Sequence, residues 1–513
     1  MLSRRLFMGT AAAGLLLPAS LVRAQVRANP FTLGVASGSP RETGVILWTR
    51  LAPDPLKGGG MPAGDVAVHY QIWEDAEMRR LLREGDVIAP EADAHSVHAR
   101  IEGLRPGREY WYRFSVGDYE SPVGRTRTAA RKDGTARLAL ASCQNWQSGY
   151  FAAYADMAEW APDCVIHVGD YIYEGGISPV GTRKVEKPGE TLTFRTVRQH
   201  NSAEITTLWD YRNRYALYRS DQSLQAAHAA SPWIVAMDDH EVDNDWAADV
   251  PQDPWAQTAV EWKVRKLAAF KAWYEHMPVE RPPAIAGLEA SVRMHDLFRF
   301  GPAQIHLLDT RQYRSDQLCG DGSFPGQPYC SGSDDPARGV LGSAQEAWLF
   351  DALRRSDASH NVLASQMWLA PYRFSQSGEP LAVNQDAWDG YAPARQRLVD
   401  VLGDGVSNPV AVSGDWHCAS AMTLHADPFD AKSRRVGHEF AGTSIASDCG
   451  WVHEMEQFRD DNPHVGYLNG RQRGYCRFEV DNRNWKTAYR VVQDPYDPAS
   501  ACRTDAELRT RDL

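Results

Sequence analysis

Three acidic clusters stand where short apolar runs of the sequence end. They are Gly169-Asp170-Tyr171-Ile172-Tyr173, Asp238-Asp239-His240-Glu241 and Gly414-Asp415-Trp416-His417. Each follows a strand-like segment, so a sheet can bring these distant residues to one edge. Carboxylate, imidazole and phenol groups are metal ligands. The pattern therefore predicts one metal centre built from strand ends.

A fourth apolar run, Leu138 to Ala141, ends at Ser142-Cys143-Gln144 and has the same form. Glycine precedes both Asp170 and Asp415, and it allows the chain to turn sharply and expose the next carboxylate. A single aspartate after a strand is more often a helix or turn cap. Recurrence at three strand ends favours metal ligation instead.

The elements that must position these residues change along the chain. Residues 30 to 130 consist of short strand patterns and turns, which predicts a small all-β domain of the Ig/fibronectin type. The feature that indicates this type of domain is the turn Leu104-Arg105-Pro106-Gly107 followed by Tyr110. The polar stretch Ala129 to Thr135 predicts a linker, and residues 136 to 500 alternate strands and helices, as in an α/β (α+β) catalytic domain.

The second region also yields local expectations. Helices are predicted at Tyr150 to Trp160, Leu208 to His228, Trp255 to His276 and Ala344 to Arg355. Ser343 and Glu346 have capping-box spacing. Residues 177 to 206 are polar and lack clear periodicity, so they predict a loop over the centre. Cys319 and Cys330 bracket a loop rich in Gly, Pro and Asp, which makes them the favoured disulfide pair.

The N-terminus predicts export. Ser3-Arg4-Arg5-Leu6-Phe7-Met8 precedes a short apolar stretch and small residues near Ala24. This order predicts a twin-arginine signal peptide over residues 1 to 24, with the twin-arginine machinery as partner and a periplasmic or secreted location. A chance arginine pair before a Sec-type signal is the alternative.

Charge and hydropathy argue against two classes of protein, those that bind nucleic acid and those with a transmembrane anchor. The formal net charge of -11 argues against a nucleic-acid-binding role and suits a protein that collects multivalent cations. No later segment has 18 uncharged apolar residues, so no transmembrane anchor is expected. The sequence does not indicate an oligomeric state.

Taken in order, the motifs resemble those of the calcineurin-like metallophosphatases, and the tyrosine matches the purple acid phosphatase branch. The closest similarity is to the alkaline phosphatase D family, through Ser142-Cys143-Gln144, Gly169 to Glu174, Asp238 to Glu241, Leu308-Asp309-Thr310-Arg311 and Ser413 to His417. The signal and the leading β-domain also resemble that family. The resemblance covers nearly the whole chain and implies a metallophosphatase-type β-sandwich flanked by helices.

The resemblance also implies a ligand set. In that family Cys143 thiolate, Tyr173 phenolate and His417 imidazole would bind Fe(III), and Asp170 would bridge it to a second metal. Asp239 replaces the usual asparagine of the second site, and Asp415 replaces the usual histidine.

Two carboxylates in place of neutral ligands make the second site all-oxygen, which favours Ca²⁺ over zinc. Asn244 is a candidate for a further oxygen ligand. The implied ligand set has five anions, namely Cys143, Asp170, Tyr173, Asp239 and Asp415. One Fe(III) and one Ca²⁺ would only neutralise them. A second Ca²⁺ leaves two positive charges for a phosphate dianion, which supports two calcium ions.

Two further residues are candidates for catalysis. His240 would protonate or hydrogen-bond the leaving oxygen; its alternative role is to orient Glu241 or Asp239. Arg219 is a candidate phosphate contact at a helix end, with a surface or salt-bridged arginine as an equal alternative. Asp309 and Arg311 are expected to form a structural ion pair.

These residues predict an exported alkaline phosphatase and phosphodiesterase. It would hydrolyse phosphate monoesters and diesters with metal-activated water, for phosphate scavenging. The alternatives are a phospholipase D-like phosphodiesterase acting on lipid head groups and a non-catalytic phosphate- or metal-binding protein.

Overall fold

The computed structural model describes residues 26–130, 134–319, 326–427, 429–430 and 432–512. The predicted twin-arginine signal, residues 1 to 24, lies outside these ranges. None of the helices within them is long and apolar enough to cross a membrane.

The described residues alternate strands and helices after an initial run of strands. The strands are β1 (Val35–Gly38), β2 (Gly44–Arg50), β3 (Val66–Trp73), β4 (Leu81–Ala89), β5 (Ser96–Glu102), β6 (Glu109–Val116), β7 (Tyr119–Glu120), β8 (Gly124–Arg127), β9 (Ala136–Ala141), β10 (Cys164–His167), β11 (Gly181–Lys187), β12 (Glu190–Thr196), β13 (Pro232–Val235), β14 (Ala284–Ala286), β15 (Glu289–Ser291), β16 (Asp296–Phe300), β17 (Ala303–Leu307), β18 (Gln327–Pro328), β19 (His360–Ala364), β20 (Ala382–Val383), β21 (Pro409–Ser413), β22 (Ala419–His425), β23 (Arg435–Ala441), β24 (Val465–Asn469), β25 (Gly474–Val480), β26 (Trp485–Val492) and β27 (Cys502–Arg509). The α-helices are α1 (Ala152–Trp160), α2 (Leu208–Arg219), α3 (Gln222–Ala230), α4 (Ala259–His276), α5 (Gly342–Arg354), α6 (Ala392–Gly403) and α7 (Val452–Gln457).

The N-terminal strands form an all-β region with two facing sheets. Strands β1, β2 and β5 form the end of one larger sheet, and β4, β3, β6 and β7, with β8 paired to β6, make the other. Alternate apolar side chains of both sheets, such as Leu47 and Phe114, share one buried core. The Tyr110 hydroxyl accepts a hydrogen bond from the Arg105 amide at 2.9 Å, which pins the predicted turn to its strand.

This region is not detached from the rest of the chain. Strand β1 runs parallel to β13, so β1, β2 and β5 extend a nine-stranded sheet in the order β27-β26-β25-β9-β10-β13-β1-β2-β5. Strands of both parts belong to that sheet, so it does not mark a boundary between them. The division into domains at residues 30–130 and 136–500 therefore stays a prediction.

A second, seven-stranded sheet faces the first. Its order is β16-β17-β19-β21-β23-β22-β24, with parallel strands at its centre. Side chains from both sheets lie in one core, including Leu138, Val165, Phe298, Val362 and Val412. Helices pack on both sides of this pair of sheets, with α3 against β1 and α6 against β23. The fold is therefore a mixed β-sandwich flanked by helices.

Several local predictions are corrected. The helix predicted at 208 to 228 is two helices, because Asp221 starts α3 by accepting the Ser223 and Leu224 amides. Helix α4 begins at Ala259 rather than near Trp255, since Thr258 and Glu261 form a capping box there. The box predicted at Ser343 is wrong: α5 already begins at Gly342, so Ser343 lies inside the first turn.

The segment predicted as a loop contains a β-hairpin. Strands β11 and β12 pair from Gly181 opposite Thr196 to Lys187 opposite Glu190. Gly189 at the turn has a φ of 81°, which a Pro-Gly turn requires. The dipeptide Pro188-Gly189 was the available signal. The predicted disulfide between Cys319 and Cys330 is confirmed.

Candidate metal centre

The predicted strand ends converge. Strands β9, β10 and β13 are parallel neighbours, so Cys143, Asp170 and Asp239 follow them at one edge of the first sheet. Strand β21 brings Asp415 and His417 from the second sheet. The two sheets meet closely here, because a Cβ on Gly414 would lie 2.4 Å from Ser142 Oγ.

The turns that carry these residues are conformationally unusual. Cys143, Asp170, Asp415 and His417 all have φ between 51° and 66°, a left-handed region that non-glycine residues rarely adopt. Gly169 has a φ of 114°, and a Cβ there would lie 2.5 Å from the Asp238 amide nitrogen. Such conformations concentrate at functional sites, where the surrounding structure holds them.

Glu241 holds one of these turns. Its buried carboxylate accepts the amide hydrogens of Asp170 at 3.1 Å, Tyr171 at 2.6 Å and Asp238 at 2.8 Å. One side chain thus ties the end of β13 to the turn after β10. Glu241 is fully committed to the backbone, and it does not bond to His240.

The first group of possible ligands contains a thiol, a carboxylate and an imidazole. Ligand atoms of Cys143, Asp170 and His417 lie within 4.8 Å of one another. The Tyr173 hydroxyl lies 2.8 Å from Asp170 Oδ2 and 3.2 Å from His417 Nε2. His417 Nδ1 donates to the Asp448 carbonyl at 2.7 Å, which leaves Nε2 as the free ligand atom. All four residues predicted to bind iron are therefore together.

The second group shares one member with the first. Ligand atoms of Asp170, Asp239 and His240 also lie within 4.8 Å of one another. Among the described residues of these two groups, Asp170 alone belongs to both, as a bridging ligand must. Asp415 belongs to neither, although it lies close enough to Asp239 to be affected by its charge.

Asn244 is placed beside the centre by its backbone. Its amide donates to Glu174 Oε1 at 3.2 Å. Its role as an oxygen ligand stays a prediction.

The electrostatics of the centre favour a cation. Burial, together with neighbouring anions, raises the pKa of the Cys143 thiol, the Asp170 carboxyl, the Tyr173 phenol and the Asp415 carboxyl. Asp170 Oδ1 and Asp239 Oδ1 are buried without a hydrogen-bond partner among the described groups. The residues therefore fit metal ions: the thiol and phenol suit Fe(III), and the carboxylates suit Ca²⁺.

Arg311 is a residue whose role the sequence did not reveal. The predicted ion pair with Asp309 is wrong, because Asp309 turns back to accept the Arg311 amide at 3.2 Å. The buried guanidinium lies 2.6 Å from Asp238, 2.8 Å from Asp386 and 3.7 Å from Asp239. Its closest partners, Asp238 and Asp386, belong to neither group of possible ligands.

Replacing Arg311 with methionine would leave Asp238 buried without its cation, whereas Asp386 would keep Arg314 at 3.0 Å. We expect Arg311→Met to lower the free energy of unfolding by about 3–5 kcal/mol. Urea unfolding of the mature protein measures it. The matched control is Arg397→Met, whose half-exposed pair with Glu346 is expected to contribute about 0–1 kcal/mol. Equal effects of the two variants would contradict the assignment.

His240 has a partner that was not expected. Its Nδ1 lies 2.7 Å from Glu174 Oε2, and its ring stacks on Tyr173 with centroids 4.0 Å apart. Glu174 therefore orients His240 and leaves Nε2 free. The three amide hydrogen bonds of Glu241 argue against a role of His240 in orienting Glu241, whereas a role beside Asp239 stays a prediction.

Arg219 lies outside the centre. It is 1% exposed and packs on Trp48 of the N-terminal region, with its Nη1 donating to the Tyr171 hydroxyl at 3.2 Å. The prediction that Arg219 contacts phosphate is therefore wrong.

The sandwich and its centre define a metallophosphatase-like hydrolase of phosphoric esters. The model of the PhoD-like phosphatase family matches residues 138–489, and the model of that family's N-terminal domain matches residues 17–130. The chain belongs to the PhoD-like phosphatase family.

Similar proteins agree with this membership. The chain is 42% identical to alkaline phosphatase D of Bacillus subtilis (strain 168) over 487 residues, which cover 93% of this chain and 80% of that protein. A solved structure of PhoD has a TM-score of 0.87 at 41% identity, covering 94% of this chain and 90% of that one. A purple acid phosphatase from yellow lupin shares the fold, with a TM-score of 0.54 at 10% identity, covering 93% and 73% of the two chains.

Proposed function

We propose that this phosphatase hydrolyses both phosphate monoesters and diesters, with Fe(III) and two calcium ions in its centre. The observation that carries its central part, two adjacent metal positions, is the place of Asp170 in both ligand groups; the second calcium ion rests on the charge balance of the ligands. The thiol and phenol of the first group suit Fe(III). In the second group Asp170 and Asp239, with Asp415 nearby, offer the carboxylate oxygens that suit Ca²⁺.

The bound metals would polarise the phosphoryl oxygens and supply an activated water. The protein's own residues then have distinct tasks. Glu174 holds His240 with Nε2 free to donate a proton to the leaving oxygen. The stack on Tyr173 fixes the plane of that imidazole. Arg311 and Arg314 together neutralise Asp238 and Asp386, so the remaining anions can serve the metals.

Metal analysis of the natively exported protein tests the proposal when it is paired with three rates. The substrates are an aromatic phosphomonoester, the corresponding diester and phosphatidylcholine. We expect iron and calcium, with hydrolysis of the first two esters. Zinc alone with full activity would refute the metal assignment. Faster release of the phosphatidylcholine head group would favour the phospholipase D-like alternative.

The proposal also includes export by the twin-arginine pathway and action in phosphate scavenging outside the cytoplasm. It is supported by the order of residues in Ser3-Arg4-Arg5-Leu6-Phe7. Replacing Arg4 and Arg5 together with lysine keeps the charge but removes the arginine pair. The variant is expected to accumulate inside the cell, measured by fractionation. Unchanged export would instead support a Sec-type signal.

A further inference from the structure

The hairpin of β11 and β12 contacts the chain segment that orients His417. Among the described strands, β11 and β12 pair only with each other, so no larger sheet fixes their position. An isolated two-stranded hairpin is at best marginally stable in water. Contacts between its side chains and the rest of the protein therefore hold this hairpin in place.

Three polar pairs join the hairpin to residues 448–454. They are Arg183 with Asp448 at 3.1 Å, Lys187 with Glu454 at 2.5 Å and Glu190 with His453 at 2.8 Å. Arg471 also binds Glu190, at 3.0 Å. Leu192 of β12 is 7% exposed and lies in the buried apolar cluster that contains Trp416 and Val452. The hairpin is thus attached to this segment by its charged side chains and by one buried leucine.

The same segment contacts the His417 ring. His417 Nδ1 donates to the Asp448 carbonyl at 2.7 Å. The Trp451 ring stacks on the imidazole, with centroids 5.2 Å apart and 27° between the planes. Trp451 Nε1 also donates to the Trp416 carbonyl at 3.0 Å, which anchors the indole beside the imidazole. The carbonyl and the indole together limit rotation of the imidazole and so fix the direction of Nε2.

His417 needs this support because its backbone conformation is unfavourable. Its φ of 51° lies in the left-handed region, which a non-glycine residue holds only where the surrounding structure imposes it. The two chain segments also pack against each other one residue further on. A Cβ on Gly470 would lie 3.2 Å from the sulfurs of both Cys418 and Cys449. The position of His417 therefore depends on where residues 448–454 lie.

Helix α7 is held from two sides. Val452 and Met455 are buried in the core, and the Tyr372 hydroxyl donates to the Met455 carbonyl. His453 and Glu454 are half-buried and bind the hairpin instead. The core contacts should keep the helix folded when the hairpin contacts are removed, so the contribution of the hairpin is measurable by itself.

We propose that the hairpin β11–β12 positions the His417 imidazole in the metal centre. It holds residues 448–454 against the ring, and this contact keeps His417 Nε2 aligned for a metal ion. Arg183, Glu190 and Trp451 are then positioning residues, since each acts through another residue. The inference rests on the proposed function in one respect, because His417 must bind a metal ion. Replacing a group that orients a metal-bound imidazole typically lowers metal affinity or activity by about 10–100-fold.

Transfer of iron from the holoenzyme to a hydroxamate chelator tests this inference. The hairpin variant carries Arg183→Gln, Lys187→Gln and Glu190→Gln, which removes all three pairs. It should release iron about 10-fold faster than wild type, because helix α7 keeps its core contacts. Trp451→Leu removes the stack and the Nε1 hydrogen bond, and it should release iron about 100-fold faster. Trp451→Phe keeps a ring on the imidazole and should restore most of the slow release.

Lys184→Gln is the matched control for the hairpin variant. Lys184 is an exposed residue of β11 and forms no ion pair with a described residue. Its replacement lowers the net charge by one unit, as the three substitutions of the hairpin variant together do. It should release iron at the wild-type rate. If the hairpin variant does not fold, Arg183→Gln alone takes its place, and it should still release iron faster than Lys184→Gln.

The EPR spectrum of Fe(III) and the Tm separate positioning from a purely structural role. An altered spectrum together with faster release, at a temperature well below Tm, would support the inference. A lower Tm with an unchanged spectrum and release rate would mean that the hairpin only stabilises the fold. That result, or equal release from the hairpin variant and Lys184→Gln, would overturn the inference. A wild-type protein without iron would instead refute the metal assignment of the proposed function, and the inference with it.

Discussion

Replacing Asp170 with asparagine is expected to lower kcat/KM on an aromatic phosphomonoester by at least about 10³-fold. Asparagine keeps the shape of the side chain but removes its charge and one anionic oxygen. Asp170 belongs to both ligand groups, so both metal positions lose a ligand at once. Metal ions stabilise transition-state charge by several kcal/mol, and each 1.36 kcal/mol is about a tenfold change in rate.

The measurement for Asp170→Asn pairs steady-state kinetics with metal content. We expect iron and calcium to fall together, because the bridging carboxylate serves both. The control is Asp86→Asn, an aspartate on β4 whose side chain is 74% exposed. It should leave both metals and the rate unchanged. Full metal content with a rate within tenfold of wild type would remove Asp170 from the centre.

The residues that meet at the candidate metal centre were predictable because each has a local signal. Gly169-Asp170 and Gly414-Asp415 interrupt apolar runs, and the glycine requirement at both positions is physical. Gly169 has a φ of 114°, whereas Gly414 is packed against Ser142. Alternating strands and helices place such interruptions at one sheet edge. Gly414-Asp415 ends a strand of the second sheet, so its position beside Asp170 also depends on how the two sheets pack.

The charged partners were not predictable in the same way. Arg311 and Asp386 are 75 residues apart, and Asp386 lies in an irregular segment without periodicity. The prediction that Arg219 contacts phosphate failed for a different reason. Arg219 ends a helix rich in polar residues, yet both Arg214 and Arg219 of α2 are buried. Helical periodicity does not distinguish a buried arginine from an exposed one. Whether Arg219 is buried depends on how the N-terminal strands pack against α2.

The domain organisation shows a similar limit. Strand patterns over residues 30 to 130 correctly indicated an all-β region. Its continuity with the catalytic sheet depends on pairing between β1 and β13, which are about 200 residues apart in the chain. Strand content is a local property, whereas sheet order is set by contacts between distant segments.

Replacing His240 with asparagine is expected to lower kcat by about 10²–10⁴-fold, the range typical of a lost general acid. Metal content should be retained if proton donation is its main task, since His240 Nδ1 is bound to Glu174. Glu174→Gln keeps a hydrogen-bonding group but weakens the orientation of the ring. Its expected loss is smaller, about 10–100-fold. The exposed control is His69→Asn on β3, which should have no effect.

The leaving group distinguishes proton donation by His240 from a purely structural role. An ester of an acidic nitrophenol needs little protonation of its leaving oxygen, whereas an alkyl ester needs much. His240→Asn should therefore slow the alkyl ester far more than the nitrophenyl ester. Glu174→Gln should show the same preference in weaker form, because it acts through His240. An equal loss on both esters, or a loss that follows metal content, would mean that His240 holds the centre together and donates no proton.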